Sequence, residues 1–162
     1  MDTSVTTGPY VIADGDGTAT WFAGALLVHK AEGDATNQRF DLLDQTMPPG
    51  YVVPRHVHHA EDEAWYVLDG DMTFYCGGGE LTATVGSWVF APREIPHTFK
   101  VGPHGARALT FGFPSGFAGF VEEFGEPAPS RTQVPSTRAG WWSWRESIRL
   151  RSWGRRLTEI SR

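Results

Sequence analysis

The chain has 162 residues, a formal net charge of −5 and 40% hydrophobic residues. That length suits one domain with a tail and is enough to bury a core. The single cysteine, Cys76, excludes an internal disulfide, and no apolar run reaches membrane-spanning length. The polar, acidic start (MDTSVTTGPY) does not read as a signal sequence, so a soluble, cytoplasmic protein is expected.

In chain order, residues 1–20 read as an irregular N-terminal arm, with turn signals at Gly8-Pro9 and around Asp14 to Gly17. Residues 21–30 (WFAGALLVHK) are apolar enough for a strand buried on both faces. Residues 39–47 alternate, with Phe40 and Leu42 on one face, and Thr36-Asn37 suggests a long hairpin link before them. Pro48-Pro49-Gly50 then turns the chain into a segment carrying His56, His58 and His59. In a strand, residues two apart share a face, so His56 and His58 present their imidazoles side by side and His59 points away. A polar turn of Ala60, Glu61 and Asp62 precedes a strand opening at Glu63, which puts Glu63, Trp65 and Val67 on one face. Asp62 is the alternative carboxylate if that register slips by one.

Residues 71–76 place Met72, Phe74 and Cys76 together, and Gly77-Gly78-Gly79 marks a hairpin tip. Residues 81–85 return, and residues 87–91 carry Trp88 and Phe90 up to the break at Pro92. His97, Phe99 and Val101 alternate on the next strand, which Gly102-Pro103 closes, and residues 106–113 supply the last one. Strands this short and regularly spaced predict an all-β fold, an antiparallel barrel of jelly-roll type. One short helix follows the barrel: Phe117, Phe120, Val121 and Phe124 recur at helical spacing, with Pro114-Ser115 as start and Gly125 as stop. It is expected to lie against the barrel, after which residues 126–129 leave the domain. The division is thus an arm over 1–20, a barrel over 21–128 and a tail over 129–162.

Charge sets the tail apart. From Arg131 onward there are eight arginines, with only Glu146 and Glu159 as acids. The preceding body is acidic. Glu146, Leu150, Trp153, Leu157 and Ile160 fall near heptad spacing, and Ser143 with Glu146 could form a capping box for a C-terminal helix. Such a basic, tryptophan-bearing helix could meet an anionic membrane, a nucleic acid or the acidic barrel itself.

The chemistry concentrates at the histidines. Two imidazoles and a carboxylate converging on one point make half a metal site, and His97 is the candidate to complete it. Read as a pattern, Gly50, His56-Val57-His58, Glu63 and Gly70 stand at every fixed position of the first cupin motif, which this segment resembles. Gly86, Pro92 and His97 are similar to the second motif, with Glu94 where the family has glycine and Val101 where it has asparagine. The stretches HVHHAEDEAWYVLDG, APREIPHTF and GFAGFVEEFGEPA most resemble the bacterial quercetin dioxygenase-like cupins.

The resemblance implies a small β-barrel with one divalent transition metal ion (Fe, Mn, Ni, Co, Cu or Zn) bound by His56, His58, Glu63 and His97. It further implies a dioxygenase cleaving a flavonol-like or other phenolic small molecule, with Glu63 as proton acceptor, its pKa raised by burial. An oxygen-independent, metal-templated cyclase or isomerase and a non-enzymatic small-molecule-binding cupin are the alternatives. A homodimer is expected on the same ground. Trp65, Phe74, Trp88, Phe90, Phe99, Phe111 and Phe113 read mainly as core, with Trp65 and Phe99 as substrate-pocket walls because they share a face with a ligand. His29 and His104 have no partners in sequence and read as ordinary structural histidines.

Overall fold

The computed structural model describes residues 8–128. It opens with β1 (Ala19–Phe22) and β2 (Ala25–Ala31), followed by the single-turn helix α1 (Gly33–Thr36) and β3 (Asp41–Met47). The long strand β4 (Asp62–Cys76) leads through β5 (Gly79–Thr84) and β6 (Trp88–Ala91) to the still longer β7 (His97–Phe113). Helix α2 (Phe117–Phe124) and the short β8 (Glu126–Pro127) complete the described chain.

All strand pairings are antiparallel, in the order β5-β4-β7-β3-β2-β1-β8, with β6 also paired to β4. The two long strands are the spine. β4 pairs with β7 twice over, Glu63 opposite Gly112 near one end and Cys76 opposite His97 at the other. Each strand therefore folds over its own middle, as closure of a small barrel requires.

The fold-over is visible in the side-chain phase. Along β4 the large buried side chains are Glu63, Trp65 and Val67, then Met72 and Phe74, with the small Ala64 buried as well, so the inward parity changes from odd to even. Register shifts on either side of Asp69 and Gly70 produce that change. Gly70 is required there: its φ is +74°, and a Cβ would stand 2.0 Å from the Gly105 carbonyl oxygen. The barrel interior is filled by Leu27, Leu43, Met47, Trp65, Val67, Met72, Phe74, Phe99 and Val101. Each such side chain contributes about 1.5–3 kcal/mol on burial.

Several expectations are corrected. Residues 21–30 are not one strand but the hairpin β1–β2, because Ala23 and Gly24 take φ of 53° and 85°, the geometry of a two-residue turn matched to strand twist. The link before β3 holds the helix α1, closed by left-handed Asn37 and Gln38. Residues 97–113 form one strand rather than two. Residues 126–127 do not leave the fold but pair with Thr20 and Trp21 of β1. The C-terminal helix drawn from the spacing over 143–160 lies outside the described residues.

Candidate metal centre

The histidine segment is not a regular strand. Between Gly50 and Glu61 only Val52 and His56 make β-bridges, to Lys100 and His97. His56 and His97 nonetheless exchange both backbone hydrogen bonds, at 3.0 and 2.9 Å, and this fixes the loop on the start of β7. The sequence explains the irregularity: Pro48, Pro49 and Pro54 withhold ladder donors from this stretch.

The bridge brings the rings together. The His56 and His97 centroids are 4.5 Å apart, and His58 lies 5.0 Å from His56 and 5.6 Å from His97. Glu63, buried at the start of β4, extends Oε2 into the middle. That oxygen is 3.1 Å from His97 Nε2, 3.3 Å from His58 Nε2 and 3.8 Å from His56 Nε2. The four sequence-predicted ligands thus offer one atom each within 4.8 Å of one another, an arrangement that could hold a metal ion.

Hydrogen bonds at the far side of the rings show what the centre asks for. His56 Nδ1 donates to the Pro54 carbonyl at 2.8 Å and His97 Nδ1 to the Ile95 carbonyl at 2.9 Å. Each ring in its neutral form therefore turns the lone pair of Nε2 toward Glu63. His58 Nε2 is buried with no hydrogen-bond partner. Two imidazole lone pairs facing one carboxylate oxygen, with the unpartnered His58 Nε2 beside them, are unfavourable unless protons or a cation lie between them. A divalent ion satisfies all four atoms at once, and the donor set fits a first-row transition metal.

Electrostatics alters one expectation. Burial works to raise the Glu63 pKa, but the imidazoles of His56, His58 and His97 gathered around it outweigh that and hold the carboxyl well below the ordinary range. The raised value expected from burial alone is not what this cluster produces. Burial likewise disfavours charge on His56, yet bonding to Glu63 and to the Pro54 carbonyl leaves its pKa raised.

Trp65, two residues along β4, is fully buried with its ring 5.9 Å from His97 and 5.7 Å from Phe99. Phe74 closes the cluster at 4.8 Å from Trp65. Trp88 and Phe90 are instead about half exposed, since β6 buries Val89 and Ala91. Phe111 and Phe113 are only partly buried, stacked at 5.8 Å on the same outer side, where Phe111 also meets Trp88. Four of the seven aromatics read as core thus belong to the barrel's outside.

His59 is 75% exposed and bonds Glu94, not the centre. Asp62, the alternative carboxylate, is taken by Arg93 through its backbone and guanidinium nitrogens. His104 is exposed, and His29 is buried away from the four ligands with Thr20 and Glu32 as neighbours. Sequence reasoning passed over Tyr51. It is buried against Phe99, and burial together with the Glu63 charge pushes its phenol above the ordinary range. Its place immediately after Gly50 was the available signal, but an irregular segment has no periodicity from which to read its facing.

Residues 43–110 match the cupin domain family model. Those residues form a cupin domain. Quercetin 2,3-dioxygenase of Bacillus subtilis (strain 168) is 25% identical over 119 residues, 74% of this chain. The chain spans only 35% of that relative's length. KdgF from Halomonas sp. superposes with a TM-score of 0.59 at 17% identity, over 68% of this cupin and 96% of its own chain. A protein from Thermotoga maritima described as a predicted oxalate decarboxylase gives 0.60 at 18% identity, over 65% and 99%. These two likenesses establish the cupin fold alone. No helix among the described residues is long and apolar enough to cross a membrane.

Proposed function

We propose that this cupin is a metal-dependent dioxygenase that cleaves a flavonol-like phenolic, with His56, His58, Glu63 and His97 as the metal ligands. The observation that carries the reading is the convergence of three Nε2 atoms on Glu63 Oε2 beside a wall of aromatic rings. The match to quercetin 2,3-dioxygenase supports the choice of substrate class.

A bound divalent ion would supply Lewis acidity toward a substrate hydroxyl oxygen and a place for dioxygen chemistry. The chain's own residues do the rest. All three imidazole contacts run to Glu63 Oε2, so the proposal assigns Oε1 as the atom that accepts the substrate hydroxyl proton. The depressed pKa makes Glu63 reliably ionised and weakly basic, so it takes a proton only from a hydroxyl whose acidity has been raised. Trp65, Phe74, Phe99 and Tyr51 keep the neighbourhood apolar and exclude water, which suits a planar aromatic ligand. Trp65 Nε1 is a buried donor without a partner, and we assign it to a substrate oxygen.

Loss of flavonol absorbance under air tests this reading. Wild-type protein loaded with a transition metal should turn the flavonol over, and Glu63→Gln, which keeps the shape and removes the charge, should lower the rate at least about a hundredfold. Equal rates in both would refute the role given to Glu63.

A further inference from the structure

A second constellation shares no residue with the barrel cluster. His29, Glu32 and Glu122 bring one imidazole nitrogen and two carboxylate oxygens within 4.8 Å of one another. They come from three elements: His29 from β2, Glu32 from the N-cap of α1 and Glu122 from α2. His29 is only 2% exposed. Its Nε2 lies 3.2 Å from Thr20 Oγ1.

The other ring nitrogen is anomalous. His29 Nδ1 is buried and has no hydrogen-bond partner, although Glu32 Oε1 stands 2.9 Å away. A contact that close without a hydrogen bond puts the oxygen beside the nitrogen's axis rather than ahead of it. With Nε2–H donating to Thr20 Oγ1, Nδ1 carries a lone pair beside an anion, and the position ahead of it is the one a metal ion takes. Glu32 is partly exposed and Glu122 exposed, so neither carboxylate is packed into the core. Both also line an open pocket of about 250 Å³ with Asp34 and Asp41, which concentrates negative potential there.

We propose that His29, Glu32 and Glu122 form a second divalent-cation site. One imidazole and two carboxylates are a donor set that zinc accepts with a further position left for water. Bound there, the ion ties α2 to the corner between β2 and α1. The site stands independently of the function assigned to the barrel.

The test uses full-length protein stripped with a chelator, reloaded with zinc alone and desalted, with zinc measured by elemental analysis and stability by thermal melting. Wild type should hold two zinc ions per chain and Glu122→Gln one. The barrel variant His56→Ala/His58→Ala should also hold one, and zinc should raise its Tm by about 4 °C or more. Adding Glu122→Gln to that variant should abolish both the ion and the rise. Zinc retained in the barrel variant but lost with Glu122→Gln supports this site whatever becomes of the barrel site. Wild-type zinc content in Glu122→Gln, or an unchanged zinc-induced rise after adding Glu122→Gln to the barrel variant, would overturn it.

Discussion

His56 and His97 are joined by a pair of backbone hydrogen bonds although they lie 41 positions apart in the chain. That single bridge converts an irregular loop and the first residue of a long strand into one rigid edge of the centre. Main-chain pairing thus sets His56 against His97, and, on the proposed assignment, metal retention should separate the ligands from their neighbours. His56→Ala should lose metal during dialysis, while His59→Ala should keep it. Equal loss in both would contradict the assignment of ligands.

Glu94 occupies a position that the backbone reserves for glycine. Its φ is +65°, and its side chain reaches the exposed His59 at 3.1 Å. Left-handed backbone costs a non-glycine residue about 1–2 kcal/mol, whereas an exposed pair of this kind returns about 0–1 kcal/mol. Glu94→Gly should match or exceed wild-type stability, and Glu94→Val should fall about 1–2 kcal/mol below Glu94→Gly. Denaturant melts decide it, and a Val variant as stable as the Gly variant would show that the turn carries no strain.

How much was legible follows from the same residues. Turn signals and period-two alternation located most strands and the helix, because glycine, proline and facing are local properties. The spacing of Glu63 and His97 from His56 and His58 pointed to the four residues that the fold brings within 4.8 Å of one another. What was not legible depended on partners distant in sequence. The bulges around Asp69 that reverse the facing of β4 need β7 as a template. The depressed Glu63 pKa needs three imidazoles assembled from two segments, and burial alone argued the opposite. Trp88 and Phe90 look like core by composition, yet β6 turns them outward because Val89 and Ala91 fill the inner side.

Asp62 makes the fold sensitive to acid at a defined point. Hydrogen bonds from the Arg93 side chain and backbone hold its carboxyl down at about 2, against an ordinary 3.8. A folded-state pKa below the unfolded one stabilises fully above the ordinary value and fades as pH falls through about 2. The Tm advantage of wild type over Asp62→Asn should therefore be constant near neutrality and shrink between pH 4 and pH 2. A difference unaffected by pH across that window would contradict it.

Trp65 should separate packing from binding. Trp65→Phe removes a buried N–H that has no partner along with some ring volume, so the two effects partly offset in stability. The variant should lie within about 1.5 kcal/mol of wild type yet raise KM for the phenolic substrate severalfold. An unchanged KM would show that Nε1 does not reach the ligand.

The most direct test of the central claim is dioxygen uptake, measured with an oxygen electrode, by metal-loaded protein given a flavonol. The account predicts uptake in step with flavonol loss, abolished by His97→Ala and absent after metal removal. Metal-loaded protein that binds the flavonol but consumes neither it nor dioxygen would contradict the dioxygenase reading.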